Sequence, residues 1–438
     1  MTEHAGTVIE GDTHSVPEWQ GLLNVAASSI PKLVNRNVLR KAPGAGERYR
    51  MDFVGLISDT IGSAFVLPKV FDPARRLANS RDLLRVIRCI QLFERRSARK
   101  RRSGNVAETD FLFTDGESMI SLFLSLLSWT RDHGLHVDDR DSLLTDPAII
   151  DWVETVERGM ALHFPHGVAF ADAYGWNKSR RHSELAVVQA TALLDLYNTL
   201  NVISHLWISE YDPIIEACKD LLSDTEADVK QRQSLKQVVL EAELHATKDH
   251  ERWLVSSLRQ WLEKRTPDGY TLSLFGVNAF HVLWEDMCRV AFGSSEISHT
   301  EFASQPNVTR LEANASLSPQ RPDLIASVPE GIVIADAKWY RFWRGDCPGT
   351  PDVTKQLMYE LSASPNTPIV GNAFIVPVPD DGAAVLETIG HVGMEFDGIA
   401  DKRFRPIAVV GVQWNRIVDC YVSGVPLPTF REFLASLR

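Results

Sequence analysis

No apolar run in the chain approaches the roughly 18 residues that cross a bilayer, and no charged-then-apolar leader opens it. The sequence therefore predicts a cytoplasmic protein without a membrane span. Cysteine is scarce. Cys89, Cys218, Cys288, Cys347 and Cys420 are odd in number, widely scattered and without a Cys-x-x-Cys pair, which excludes a disulfide framework and a zinc ribbon. Positive charge is in deficit too: the formal net charge of −11 over 438 residues argues against a protein that coats nucleic acid indiscriminately. It leaves room for a DNA enzyme with a local basic track. There is no Gly-x-x-x-x-Gly-Lys-Ser/Thr phosphate loop, so nucleotide hydrolysis would have to come from a partner, and no His-Glu-x-x-His metal pair. His245, His250 and Glu251 read as surface residues of a helix, and the Asn-x-Ser/Thr matches at Asn177, Asn307 and Asn314 as chance.

What is present is an ordinary globular composition, 44% hydrophobic and 24% charged, in a chain long enough for two or three domains. Residues 1–18 lack periodicity and are expected to form a loose tail. Strand-like runs over Tyr49–Ile57 and Phe65–Phe71, separated by the turn residues 58–63, predict a small β-containing docking domain over 19–110. The helical spacing of Arg81–Arg102 ends in a basic run from Arg95 to Arg102, read either as phosphate contacts or as a solvated helix end. Three-and-four spacing over Glu117–His133, Ala148–His163, Glu184–Trp207, Asp212–Leu222 and Ala227–Lys264 predicts a helical region over 111–268. Thr266-Pro-Asp-Gly-Tyr270 interrupts it. From 269 to 438 the expected order is a helix (Asn278–Phe292), a strand hairpin, a helix (Asp352–Ala363), strands Asn372–Val378 and Ile407–Trp414, and a last helix (Thr429–Leu437). That order makes a mixed sheet flanked by helices, and the chain as a whole an α+β protein.

Chemistry concentrates in Arg321–Trp339. Two β-rich runs flank Pro329-Glu330-Gly331, and a turn centred between Pro329 and Glu330 places Asp323 directly opposite Asp336, with Lys338 on the face of Asp336. Carboxylates facing each other across a ladder repel, so their pairing calls for a cation or a shared proton between them. An edge strand with alternating protective charges is the bland alternative. It fits poorly, because the same strand reads Ile332-Val-Ile-Ala335, which should be buried. Hard oxygen ligands suit Mg²⁺, with Mn²⁺ as a substitute, better than Zn²⁺, and Mg²⁺ joins phosphate. Asp323 and Asp336 are the expected metal ligands, with the backbone carbonyl of Ala337 and, from the preceding helix, Glu285 as further ones. Lys338 would position or deprotonate the attacking water, or stabilise charge growing on the phosphorane. Gln356 and Tyr359, at i and i+3 of the following helix, would touch the DNA backbone or orient Lys338.

Pro322-Asp323, twelve residues, then Asp336-Ala337-Lys338 resembles the PD-(D/E)xK nuclease signature. Phe280-x-x-Leu-Trp-Glu285 before it, and Asp336–Tyr340 continuing to Pro348–Glu360 after it, resemble the LlaJI-type restriction endonucleases and, more distantly, the McrC nuclease subunits of modification-dependent restriction systems. The likeness covers about residues 275–380, with an echo of an McrC-like N-terminal β-region at Phe53-Val-Gly-Leu-Ile57 and Val66-Leu-Pro-Lys69. Gln356-x-x-Tyr359 departs from the Gln-x-x-x-Tyr spacing of RecB-like nucleases. The resemblance implies a restriction-endonuclease-like domain over 269–438 cutting double-stranded DNA, a separate McrB-like AAA+ GTPase or ATPase ring motor, and a DNA methyltransferase in the same system. The rival readings are an autonomous repair or junction nuclease and a catalytically silent scaffold.

Overall fold

The structure, a computed structural model, describes residues 8–44, 46–59, 61–71, 80–102, 112–114, 119–138, 141–144, 149–150, 152–178, 181–199, 208–224, 232–266, 269–270, 272–293, 307–309, 314–316, 322–363, 368–380, 384–427 and 433. The chain forms two compact units, one joining Met1–Asp115 to Leu272–Arg438 and one made of Gly116–Thr271. The regions that the sequence reading divided into 19–110 and 269–438 fall almost entirely within one compact unit. The strand after the helical region explains why: Ser273–Val277 pairs back onto the N-terminal sheet rather than starting a domain of its own.

In the first unit the N-terminal elements are β1 (Val8–Ile9), β2 (Thr13–Ser15), α1 (Val16–Leu23), α2 (Ser29–Asn35), β3 (Leu39–Lys41), β4 (Arg48–Met51), β5 (Val54–Ser58), β6 (Ser63–Leu67), α3 (Ser80–Arg102) and β7 (Leu112–Thr114). The expected tail over 1–18 is corrected from residue 8 onward, residues 1–7 lying outside the described residues. Val8 and Ile9 are short but apolar, and they extend the sheet by pairing in parallel with Val66 and Leu67. Behind them, polar residues that looked loose are helix-start chemistry: Ser15 N–H donates to Glu18 Oε2 (2.8 Å), and Pro17 opens α1. Trp19 then buries its ring and donates to the Tyr49 carbonyl (2.8 Å). The predicted turn at 58–63 is tied by Asp59, whose Oδ1 accepts from Ile61 N (2.8 Å) and whose Oδ2 accepts from Ala26 N and Ser29 Oγ (both 2.7 Å).

β8 (Ser273–Val277) lies antiparallel between β5 and β7. Gly55 and Gly276 face each other in this pairing. A Cβ on Gly55 would fall onto the Phe275 carbonyl oxygen, and one on Gly276 onto that of Val54, so only glycine lets these strands meet. Gly276→Ala is therefore expected to destabilise by roughly 1–3 kcal/mol or more through overpacking. Thermal unfolding checks it, and an unchanged midpoint would mean the strands do not approach so closely.

The rest of the first unit comprises α4 (Phe280–Phe292), β9 (Leu324–Val328), β10 (Gly331–Ala337), α5 (Thr350–Leu361), β11 (Ile369–Val378), β12 (Leu386–Val392), β13 (Ile407–Gln413) and α6 (Trp414–Ser423). Its five-stranded sheet runs β9-β10-β11-β13-β12. β9 and β10 are antiparallel, β11 and β13 join in parallel, and β12 closes the far edge antiparallel. This is the mixed, helix-flanked sheet of an α+β fold. β10, β11 and β13 are buried along most of their lengths, which is why they read as continuous Ile/Val/Ala runs. Among the elements that escaped the sequence reading are β12 and α6. β12 is half-buried and its register shifts between Thr388 and Gly390, and α6 begins at Trp414, where the preceding strand seemed to end. The helix expected over 429–437 lies outside the described residues except for position 433.

The second unit is mostly helical, with Met119–His133, Glu184–Thr199, Ile208–Asp224, Arg232–His245 and Asp249–Lys264. Its core gathers Leu126, Val188, Leu193, Leu254, Leu258 and Trp261, and the Trp261 indole donates to Asp195 Oδ2 (3.0 Å). One predicted helix is corrected: within 148–163 only Trp152–Arg158 is helical, and Ala161–Phe164 turns at residues 165–166 to pair with Gly167–Phe170. The alternation of Leu162, Phe164 and Val168 with smaller or polar residues follows the two-residue period of a strand. Among the described residues no helix is long and apolar enough to cross a membrane.

Candidate active site

The hairpin turns at Pro329 and Glu330, since Val328 pairs with Gly331 and Leu324 with Ala335. That register brings the segment just before β9 against the end of β10, as the turn chemistry predicted. The Asp336 side chain is completely buried. Backbone groups bind the two acids crosswise: Ala337 N donates to Asp323 Oδ2 (2.9 Å), and Asp323 N reaches Asp336 Oδ1 at 3.4 Å. Burial, together with the charges of Asp336 and Glu285, pushes the Asp323 carboxyl up to about 8. At neutral pH without metal, Asp323 therefore keeps a proton.

Lys338 Nζ lies 2.9 Å from Asp336 Oδ2 and 2.7 Å from Asp352 Oδ1. Burial alone would lower the lysine's pKa, but the two carboxylates outweigh it and raise the pKa above the ordinary value. Asp352 stands in the first turn of α5 and also accepts from the Tyr340 hydroxyl (2.5 Å). Burial would raise its pKa, yet Lys338 and Tyr340 hold it below the usual carboxylate range. From the same helix, Lys355 Nζ approaches Asp336 Oδ2 at 3.6 Å and lies 5.4 Å from the centre of the Tyr359 ring. Asp352, Tyr340 and Lys355 were missed in the sequence. The available signal was weak, because an acid in a first helical turn reads as ordinary capping.

Below the lysine strand, Phe280, Trp284, Trp339 and Trp414 form a cluster with ring centroids 4.8–6.5 Å apart. The cluster packs α4 and α6 against the residue following Lys338. Trp339 Nε1 also donates to Glu10 Oε2 (2.8 Å), an acid placed by the segment after β1. The N-terminal elements thus hold the segment that follows Lys338 directly.

Other predicted residues fall differently. Gln356 is completely buried and faces the sheet, donating to Asn372 Oδ1 (2.7 Å) and to the Ala373 carbonyl (3.3 Å). This geometry corrects the expected DNA-backbone contact: Gln356 clamps α5 to β11. Tyr359 packs among Ile325, Ile332 and Ile334, and its connection to the acids runs through Lys355. At the end of α3, Arg96 turns inward, 3.7 Å from Asp286 and over the Tyr421 ring at 4.8 Å, rather than outward to phosphate.

Glu285 reaches the site from α4, but Arg289 one turn later lies 3.7 Å from Glu285 Oε2 and 3.6 Å from Asp323 Oδ1. Among the described residues no three His, Cys, Asp or Glu side chains converge closely enough to hold a metal. The expected three-carboxylate shell is thus not assembled, because the Arg289 guanidinium supplies the positive charge between those acids. The donors still suit a hard divalent cation. Asp336 Oδ2 is buried and accepts no aligned hydrogen bond despite the nearby lysines, and the repulsion that raises Asp323 is what a divalent charge would relieve.

Comparison with known proteins places this geometry in context. The "Type II restriction enzyme BsuMI component YdjA" of Bacillus subtilis (strain 168) is 28% identical over 174 residues, 36% of this chain. The match spans 36% of that relative's length. A chain in the refined half-complex from the tetradecameric assembly of Thermococcus gammatolerans McrB AAA+ hexamers with bound McrC aligns over 96% of this chain and 98% of its own. Its identity is 12% and the TM-score 0.39. The model of the LlaJI restriction endonuclease family matches residues 53–410, a span that includes the paired acids, the lysine and the sheet that carries them, and the chain belongs to that family.

Proposed function

We propose that the chain is a Mg²⁺-dependent DNA endonuclease that hydrolyses phosphodiester bonds as the nuclease subunit of a restriction system. The observation that carries this reading is Asp336 Oδ2, a buried carboxylate oxygen without an aligned hydrogen bond, beside Asp323 and 2.9 Å from the Lys338 amine. Asp323, Asp336 and the Ala337 carbonyl would hold the metal, and Glu285 would join on release from Arg289. Bound there, Mg²⁺ supplies Lewis-acid polarisation of the scissile phosphate and neutralises its charge.

The protein groups divide the remaining work. Two carboxylates keep Lys338 protonated, so the lysine donates hydrogen bonds to the attacking water and to a phosphate oxygen. Removing the proton from water is not a task for an amine held this firmly charged. Asp352 and Tyr340 fix where that amine points. Because the sequence has no phosphate loop of its own, translocation or activation would fall to a separate NTP-driven motor of the McrB-like AAA+ kind, and self-DNA would be protected by a companion methyltransferase.

Purified protein incubated with plasmid should cut in Mg²⁺, or Mn²⁺, in the presence of the motor and nucleotide, and chelation with EDTA should stop it. Cutting undiminished by EDTA would sink the metal assignment. Equally fast cutting without motor or nucleotide would favour an autonomous nuclease.

A further inference from the structure

Beside the paired acids, the first unit carries a groove of about 670 Å³, lined by Glu285, Lys338 and Tyr340 together with Arg40 and Arg50 of the three-stranded sheet β2-β4-β3 and Lys69 from the segment after β6. Arg40 of β3 and Arg50 of β4 are direct partners across their ladder. Like charges so placed repel, and a single carboxylate answers both. Asp52 binds Arg50 through two hydrogen bonds (2.7 and 3.0 Å), while Arg40 Nε lies 3.3 Å away. One positive charge of that trio is unbalanced, and both guanidinium side chains are half exposed, 50% and 49%.

Lys69 continues the row toward the catalytic strand. Its amine lies 5.8 Å from the centre of the Trp339 ring and 6.0 Å from that of Tyr340, the two residues after Lys338. The other acids lining this groove are committed: Glu10 accepts from Trp339 Nε1 and Lys69 N and faces the Lys69 amine, Asp346 pairs with Arg341 (3.1 Å), Asp352 with Lys338, and Glu285 with Arg289 (3.7 Å). In a chain of net charge −11, a half-exposed arginine in excess of the carboxylate it shares, opening onto the groove beside the paired acids, calls for an anion from outside.

We propose that Arg40, Arg50 and Lys69 form a phosphate-binding track for the DNA backbone flanking the cleaved bond, so that the N-terminal elements are part of the substrate-binding surface. The proposal rests on the nuclease reading for the identity of the anion. Planar guanidinium forks suit phosphate oxygens, and contacts of this kind position a strand without reading its bases.

The test is binding of a fluorescent DNA duplex by the full chain, with Ca²⁺ replacing Mg²⁺ so that cutting does not interfere, across a series of KCl concentrations. In Arg40→Gln, where Arg50 still holds Asp52, the slope of log affinity against log salt should flatten by about 0.9, one phosphate contact. Arg40→Gln/Lys69→Gln should flatten it by roughly twice that. Asp52→Asn, which removes the competing carboxylate, should tighten binding, an effect of opposite sign that misfolding would not produce. Arg403→Gln, at an exposed ion pair elsewhere, serves as the control. Unchanged slopes in both Arg40 variants, with wild-type binding and Mg²⁺-dependent cutting intact, would overturn the track while leaving the nuclease reading standing. A wild type that neither binds nor cuts would bring down both.

Discussion

Asp336→Asn is expected to lower the rate of DNA cleavage by about 10²–10³-fold or more, the scale seen when a preorganised electrostatic group is removed from a reacting centre. The substitution keeps the shape and the backbone bond from Asp323 N, but takes away the charge that confronts Lys338 and Lys355. Lys338→Met should produce a loss of similar size by a different route, removing the only amine that lies within 3 Å of both Asp336 and Asp352 among the described ion pairs. Asp352→Asn separates positioning from chemistry. It preserves an acceptor for Tyr340 and should cost roughly 10–100-fold, as outer-shell changes do. It should also move the alkaline limit of the pH–rate profile downward, because Lys338 loses one of the two carboxylates that raise it. Rates are to be measured by plasmid nicking, with circular dichroism showing that each variant is folded. Full activity in a folded Lys338→Met protein would refute the assignment of the lysine.

Metal-free protein should be less stable in alkaline than in mildly acidic solution, and Asp323 is the reason. Its ordinary value is 3.8 and its folded value about 8, so below 3.8 both states carry the proton, while between the two values only the folded state does. The associated stability is fully present below the unfolded value and is lost as pH rises through the folded one. With EDTA present, the thermal midpoint should therefore fall between about pH 4 and about pH 8, and Asp323→Asn should flatten that dependence. Mg²⁺ should restore the midpoint at the alkaline end, where the ionised carboxylate finds its counter-charge. Near neutral pH metal binding should release about one proton, and the apparent affinity should weaken as pH falls below about 8. Calorimetry in buffers of different ionisation heat measures the release. Affinity independent of pH across this range, with no proton released, would contradict a protonated Asp323.

The hairpin was legible because its signals are local. Pro329 and Glu330 form the turn, β9 and β10 read as short apolar runs on either side of it, and a two-residue turn leaves one register, which puts Asp323 against the end of β10. Helices α4 and α5 were legible too, though less sharply than the hairpin, since a three-and-four stripe belongs to one element. Gln356 was misread for the opposite reason. A helix pattern shows that Gln356 and Tyr359 share a face, but only packing against Asn372 on β11 tells that this face points inward. The acidic partners of Lys338 were hidden in the same way, because Asp352 lies fourteen residues away along the chain and meets the lysine only after α5 docks on the sheet.

By itself the sequence determined the two acids, the lysine and the cation-seeking pairing between them, because a tight turn converts spacing into geometry. Tertiary structure alone decided that the N-terminal sheet belongs to the same unit as the hairpin of paired acids. The pairing of Gly55 with Gly276 spans more than two hundred residues, and its signal, a glycine where two backbones touch, is indistinguishable in sequence from a glycine in any loop. It also decided that Arg289 rather than a third acid stands between Glu285 and Asp323, since charge balance in a buried site depends on which side chains arrive there together.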